Sequence, residues 1–247
     1  MSAEAGWEPI GRALAEYQRG FHDGVLEVFH DLGGPDPLPV AHFFRGPSQM
    51  NRLEREAIRR ARGRVLDLGA GVGCHALAVL DRGLEVTAVD ALPQAVEVMR
   101  DRGVIDARLG RWTDLGTDER FDTVLMMMNG AGLAGTLNGM AALLEVLAGV
   151  LSENGQILLD SVNLPEVREA QADEEGVPVG DDGRYPGELH YQFSYGGQRG
   201  DPVPQLFLDF EQLRRMASAG GLQCDLVAAE DDLYLALIRP DGDSPAP

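Results

Sequence analysis

From residue 64 onward, short apolar runs alternate with stretches whose apolar residues recur every three or four positions, the pattern of a parallel sheet covered by helices. Arg64–Leu68 (RVLDL) reads as a strand and Cys74–Arg82 as the helix after it. Leu84–Val89 reads as a second strand, Pro93–Asp101 as a helix opened by a proline whose fixed φ suits a first turn, and Val104–Leu109 as a third strand. Phe121–Met128 (FDTVLMMM) is apolar almost throughout, as suits a central strand buried on both faces. Leu137–Leu151 carries Leu143, Leu144, Leu147 and Val150 at helical spacing, and Asn154-Gly155 turns the chain into a strand over Gln156–Asp160. A helix over Asp209–Ala219 and strands over Leu222–Ala228 and Leu233–Ile238 complete the core. Only Ala229–Asp232 separates the last two strands, too short a link for a parallel crossover, so they form an antiparallel pair. The pattern predicts an α/β fold over residues 64–239, doubly wound on a mostly parallel sheet.

Two segments lie outside this alternation. Residues 1–63 read as mostly helical, a lid or cap broken by the Pro/Gly-rich stretch Gly33–Pro39. Residues 162–204 are a long insertion in which Leu189, Tyr191, Phe193 and Tyr195 alternate with Glu188, His190, Gln192 and Ser194. That is a half-buried strand, turned by Gly196-Gly197 toward a partner near Gln205–Leu208. Connections this long are commonly functional or disordered, and the aromatic strand argues for function. Residues 240–247, PDGDSPAP, read as a disordered tail.

Composition narrows the chemistry. A chain of 247 residues buries enough surface to fold without a disulfide or a metal. All 21 basic residues are arginine. The absence of lysine excludes a pyridoxal-phosphate Schiff base and a P-loop lysine. Two cysteines, Cys74 and Cys224, cannot hold an iron–sulfur cluster or a Cys-rich zinc site, and they read as buried thiols of a reducing compartment. No spacing of His, Cys and carboxylates suggests a metal. Against the arginines stand 40 acidic residues, a net charge of −19, which disfavours nucleic acid. Residues 1–150 carry 21 acids and 15 Arg, residues 151–247 carry 19 acids and 6 Arg, so the excess lies in the later part. The basic run Arg52, Arg55, Arg59, Arg60, Arg62 and Arg64 is interleaved with Glu54 and Glu56 and reads as the solvated face of a helix. MSAEAGWEPI has no signal-peptide pattern and no apolar run approaches a membrane span, so a soluble cytoplasmic protein is expected.

Between the first strand and its helix, VLDLGAGVG places Gly69, Gly71 and Gly73 where the backbone can approach a ligand and the helix N-terminus offers free N–H groups. Asp90, ending the second strand, can accept hydrogen bonds from both hydroxyls of a ribose. Together they point to an adenosine-type ligand. Gly71-Val-Gly73-Cys-His-Ala76 also satisfies the dinucleotide pattern, which keeps a nicotinamide cofactor open on the residues alone. VLDLGAGVG followed by EVTAVDALPQAVEVM resembles motifs I and post-I of the class I S-adenosylmethionine (SAM)-dependent methyltransferases. FDTVLMMMNGAG is similar to the family's fourth-strand motif and LLEVLAGVLSENGQILLDS to its next helix and fifth strand. The likeness covers about residues 60–161, with 205–238 in outline, and resembles stand-alone bacterial enzymes of unassigned substrate.

The resemblance implies a Rossmann-like sheet of seven strands in the order 3-2-1-4-5-7-6 with the last strand antiparallel, SAM as cofactor, and methyl transfer to an O, N or C nucleophile of a small molecule. It implies that Gly69, Gly71 and Gly73 line the methionine and ribose portions and that Asp90 binds the ribose. Asp67 would reach the amino group or simply cap the loop. Ala91 and Leu92 would pack against adenine. Arg111 stands where the family often has an acid, beside Trp112 on the adenine face, and Met128 is a cofactor-binding candidate at the end of the fourth strand, where with Asn129 and Gly130 it borders the acceptor site. Because a sulfonium is already a good leaving group, alignment of the acceptor can supply much of the catalysis. Asn129 orients an acceptor or caps a turn; Arg45 clamps a substrate carboxylate or pairs with an acid; His190 is a candidate base. His22, His30 and His75 read as structural or surface residues, and Tyr191, Phe193 and Tyr195 as hairpin core or substrate wall. A SAM-binding sensor without turnover, and a peptide or protein acceptor, stay open, as does oligomeric state.

Overall fold

The computed structural model describes residues 5–164, 167, 169, 171–173, 178–180 and 183–242. In chain order, α1 (Glu8–Gln18) precedes a hairpin of β1 (Val25–His30) and β2 (Gly33–Pro39), two 3-10 turns (Val40–Phe44 and Pro47–Gln49) and α2 (Arg52–Arg60). The core follows as β3 (Arg64–Leu68), α3 (Cys74–Leu80), β4 (Glu85–Asp90), α4 (Pro93–Asp101), β5 (Asp106–Leu109), β6 (Phe121–Met126), α5 (Leu137–Val150) and β7 (Leu151–Val162). The short pair β8 (Gln171–Ala172) and β9 (Pro178–Val179) comes next, then β10 (Glu188–Tyr195), β11 (Gln198–Arg199) and β12 (Val203–Leu206). Helix α6 (Phe210–Ala219) leads to β13 (Leu222–Glu230) and β14 (Leu233–Pro240).

The main sheet runs β13-β14-β7-β6-β3-β4-β5. Counting the core strands along the chain, this is the expected order 3-2-1-4-5-7-6. Neighbours from β5 to β7 pair parallel, and β14 alone is reversed, antiparallel to both β7 and β13. Val65, Leu66, Val124, Leu125, Leu158 and Leu159 are fully buried, because helices cover both faces. One face packs α5 and α6 through Leu143, Leu147, Leu213 and Ala217; the other packs α2, α3 and α4 through Leu53, Ala57, Ala76, Val79 and Met99. The predicted fifth strand is longer than expected. Asn154-Gly155 does not precede it but lies within it, where the register against β6 shifts by a bulge. Pro240 belongs to β14, and residues 243–247 of the expected disordered tail lie outside the described residues.

The N-terminal segment corrects the expectation of a mostly helical 1–63. Helices α1 and α2 are present, but Val25–Pro39 between them is a hairpin, with β1 alternating exposed and buried at Val25–Val28. Its prolines at 35, 37 and 39 sit on β2, the edge of a second, antiparallel sheet ordered β11-β10-β1-β2, where a missing N–H costs no inner ladder bond. β10 is the aromatic strand of the insertion, paired with β1 on one side and with β12 and β11 on the other. The two outlying segments therefore join as one sheet. Its inner face packs Leu26, Val28, Phe193, Tyr195 and Val203 against Ile10 and Leu14 of α1 and against Ala95 and Val98 of α4. Among the described residues no helix is long and apolar enough to cross a membrane.

Truncating Leu125→Ala on β6, where the side chain is fully buried between the helical layers, is expected to cost about 2–5 kcal/mol in urea denaturation.

Candidate functional site

The carboxyl ends of β3, β4, β6 and β7 converge where an open α/β sheet presents its ligand crevice. Gly69, Gly71 and Gly73 all adopt positive φ (73°, 56° and 80°), a turn that an L side chain resists. Their surroundings differ. A Cβ on Gly73 would strike Val104 and Met99 at 3.0 and 3.1 Å, so this glycine serves helix packing. A Cβ on Gly71 would meet nothing within 4 Å, so its backbone faces open space. A Cβ on Gly69 would press on Leu133 at 3.0 Å, a half-exposed residue of the 3-10 turn Gly130–Ala134 after β6. Trp112 Nε1 donates to the Leu133 carbonyl at 3.1 Å, so Trp112 and Leu133 close one side of the loop.

Asp90 closes the other. Its carboxylate accepts from Gly71 N–H (2.8 Å) and Leu92 N–H (2.9 Å), which fixes the end of β4 to the glycine loop and to the start of α4. Burial pushes its pKa up to about 6 against the pull of those two donors, and Asp67 adds repulsion. Ala91 and Leu92 are half-buried on the same turn. Arg111 is exposed, its N–H bonded to Asp114 Oδ2 at 2.8 Å.

Asp67, next to last in β3, is 1% exposed. Burial raises its pKa, while the charge of His75 and the Ala76 N–H act to lower it. Its Oδ2 is buried with no hydrogen-bond partner in the chain. An unpaired buried carboxylate oxygen is costly, and it marks a place for an external donor.

Behind Asp67 lies a charge cluster that the sequence reading missed. Glu54 of α2 is buried and holds Arg45 and His75 on the same oxygen, His75 Nε2 at 2.8 Å. Its second oxygen accepts the Asn51 N–H at 2.8 Å and completes a capping box. Burial would raise the Glu54 pKa, but the bonds from His75 and Arg45 bring it down to about 2. Burial would lower that of His75, but Cys74 Sγ beside Nδ1 (3.5 Å) and Glu54 hold it up to about 10. The signal was present: Glu54 shares the apolar stripe of Leu53, Ala57 and Ile58 rather than the solvated face assigned to it.

The candidate catalytic side chains are not brought together. Arg45 is 5% exposed and committed to Glu54 and to the His42 carbonyl (2.5 Å), so it cannot reach out to clamp a substrate carboxylate. Asn129 is spent on both ends: Nδ2 donates to the Leu206 carbonyl (3.1 Å) and Oδ1 accepts from Ser161 Oγ (2.9 Å). It anchors β12 to the main sheet instead of facing an acceptor. His190 is half-exposed on the outer face of β10, with Nδ1 3.3 Å from Asp31. Phe193 and Tyr195 are core, the first stacked on Trp7 at 5.3 Å and the second bonded to Glu16 at 2.9 Å. Tyr191 is half-buried, 5.4 Å from the ring of His30 and 5.5 Å from that of Phe207.

After β6 the chain takes two consecutive left-handed residues, Met128 (φ 65°) and Asn129 (φ 59°). Strain of that kind persists only where neighbours impose it. The neighbour is Asp160 near the end of β7, another residue missed from sequence, which accepts from Met128 N–H and Gly130 N–H, both at 3.1 Å. Burial pushes its pKa up to about 6. The turn leaves Met128 exposed at the strand end. A carboxylate ending an otherwise apolar strand (ILLDS) was the sequence signal for it.

Residues 65–155 match the family model described as a methyltransferase domain. Over 97% of its own length and 97% of the other's, the chain is 36% identical, with a TM-score of 0.84, to a SAM-dependent methyltransferase from Bacteroides fragilis solved with S-adenosyl-L-homocysteine. It is 33% identical over 123 residues to the cypemycin N-terminal methyltransferase of a Streptomyces species, and 30% identical over 158 residues to the ubiquinone biosynthesis O-methyltransferase of Xanthomonas euvesicatoria. These matches span 48% and 58% of this chain, and 50% and 62% of the two curated relatives.

The buried charges set a pH dependence of stability. Asp90 and Asp160, with folded pKa values raised from 3.8 to about 6, bind protons more tightly folded than unfolded, so stability is lost as pH rises through 6. His75, raised from 6.5 to about 10, contributes fully below 6.5 and loses its contribution as pH rises toward 10. All three act in one direction, the two aspartates up to about pH 6 and His75 above it, and the unfolding free energy from urea titrations is expected to go on falling from pH 6 to pH 9 on the His75 contribution. A flat or rising profile would contradict the assignment.

Proposed function

The chain belongs to the SAM-dependent methyltransferases, and we propose that it transfers a methyl group from SAM to a nitrogen, oxygen or carbon nucleophile of a small molecule by in-line displacement. The observation that carries the reading is the pairing of the unpartnered Asp67 Oδ2 with a glycine loop that opens on space at Gly71. These residues fit the cofactor at both ends. Asp67 has a buried acceptor to spare for an ammonium group, and Asp90 has a carboxylate at the strand end for two ribose hydroxyls. Backbone at Gly69, Gly71 and Gly73 would line the chain between them. Ala91 and Leu92 would flank the adenine on one side, Trp112 and the stem of Arg111 on the other, and Met128 would border the methyl group. When bound, SAM supplies an electrophilic methyl carried on a sulfonium.

The remaining work falls to this chain's own shape. Asp160 and Asn129 hold the Met128–Gly130 turn and the β12 segment rigid above the ends of β6 and β7. That fixes the direction from which an acceptor approaches, and such alignment can be worth about 7–11 kcal/mol. Tyr191 of β10 and Phe207, just past β12, pair their rings at 5.5 Å, and we take this pair as an aromatic wall for the acceptor. An aromatic wall suits an amine, as a cation over a ring, better than an acid. A peptide N-terminal amine is the second reading, favoured by the Streptomyces relative.

Two measurements test this. Asp90→Ala is expected to weaken S-adenosylhomocysteine binding about ten- to hundredfold by calorimetry, since charged hydrogen bonds contribute about 1.5–3 kcal/mol each; unchanged affinity would remove the ribose role. A turnover screen of small amines, phenols, carboxylic acids and short peptides with SAM is expected to yield S-adenosylhomocysteine with small amines. Turnover with peptides alone would move the protein to the second reading, and binding without turnover on any acceptor would make it a sensor.

A further inference from the structure

His30 ends β1 on the rung opposite Tyr191, half-buried, with its ring stacked on that of Tyr191 at 5.4 Å. Its two nitrogens differ. Nε2 lies 2.8 Å from Oδ2 of Asp36, an exposed carboxylate on the neighbouring strand β2. Nδ1 is shielded from solvent and has no hydrogen-bond partner in the chain. An ionised carboxylate only accepts, so it holds the neutral ring's proton on Nε2 and leaves the Nδ1 lone pair free. By contrast, His75 has a neighbour at each nitrogen, and His190 sits half-exposed on the outer face of β10 beside Asp31.

The free nitrogen stands beside the wall assigned to the acceptor. Phe207 follows Leu206, whose carbonyl accepts from Asn129 Nδ2 in the turn after β6. From Phe207 the ring contacts run to Tyr191 at 5.5 Å and on to His30. Tyr191 is in phase with Phe193 and Tyr195, so this rung lies on the inner face of the second sheet. Tyr191 does not take a proton itself: burial, with repulsion from Asp36, pushes its phenol up to about 12. Asp31, next in the chain after His30, is turned to the His190 N–H at 2.8 Å. We propose that His30 is the general base for an amine acceptor, its Nδ1 drawing a proton from the acceptor's ammonium group while Asp36 holds the ring. The proposal rests on the Tyr191–Phe207 pair as the acceptor wall. A sulfonium leaves without protonation, so the ammonium proton is the one that has to move before transfer. The nitrogen lone pair freed by His30 forms the new N–C bond as the C–S bond breaks, its electron pair staying on sulfur. His30 then returns the proton to solvent.

The test follows His30→Gln with a small alkylamine that the protein methylates. Its kcat/KM is expected to fall about 100-fold at pH 7, and the deficit to shrink about tenfold per pH unit up to pH 9, because the neutral share of an alkylamine grows at that rate without help from the protein. S-adenosylhomocysteine is expected to bind this variant within twofold of the unaltered protein by calorimetry. A deficit constant with pH, no deficit, or an equal loss of S-adenosylhomocysteine binding overturns the proposal. Asp36→Asn, on an exposed side chain, is expected to lose about tenfold at pH 7, again with a deficit that narrows as pH rises. It decides the matter should the glutamine variant not fold, and a deficit there that ignores pH overturns the proposal. Apart from turnover, 15N-resolved NMR is expected to find the proton of the neutral His30 ring on Nε2; the opposite tautomer overturns the proposal. If the protein methylates no amine, the acceptor reading fails and this inference with it. If amines are methylated but the deficits do not narrow with pH, the reading stands and the inference alone fails.

Discussion

Glu54 is one carboxylate on a nine-residue helix, yet the turn before the helix and the helix after the glycine loop both meet on it, together with its own N-cap. Arg45 brings the end of the N-terminal 3-10 turn, His75 brings the first turn of the helix after the glycine loop, and Asn51 brings the start of α2 itself. Removing such a carboxylate would leave two buried cations unpaired, a loss in the range of 3–5 kcal/mol for a broken buried pair. The consequence reaches beyond stability. The glycine loop is short and made of residues with little conformational preference, so its position depends on what grips its two ends. β3 grips one end through the sheet; Glu54, through His75, grips the other.

The second sheet extends the same logic to the acceptor side. β12 is held to the main sheet by polar contacts at the carboxyl ends of β6 and β7: Asn129 to the Leu206 carbonyl, and Ser161 Oγ accepting the Leu208 N–H at 3.1 Å. Through β10 those contacts carry β1 and β2 as well. The apolar join with α1 and α4 supplies the burial, and the Asn129–Ser161 link supplies the register. Asn129 and Arg45 are thus spent on holding elements in place, and chemistry on an acceptor falls to the geometry they impose.

The core was legible because its periodicities are strong. Arg64–Leu68 and Pro93–Asp101 have the bounds read from the sequence, and the reversed last pair follows from a four-residue link. The hairpin at Val25–Pro39 was not legible, because three prolines read as a break unless one knows that the strand is an edge. Glu54 was hidden by its company: four arginines on the same helix suggest a solvated face, and only its phase with Leu53, Ala57 and Ile58 reveals the burial. The glycine loop and Asp90 were visible as a motif, whereas Asp160 and Leu133, which shape the space around it, act through contacts across 21 to 32 residues.

Asp67 and Asp90 end adjacent parallel strands, so the fold brings two carboxylates together in a protein that already carries −19. The chain treats them unequally. Asp90 is met by two backbone N–H groups, which satisfy both oxygens but carry no full charge, and its pKa stays near 6. Asp67 keeps a buried oxygen with no partner in the chain. On the proposed reading, hydroxyl groups go to the first and an ammonium group to the second, which is the division that each environment suits: neutral donors can displace or share backbone N–H groups, whereas a charged donor needs an oxygen left free.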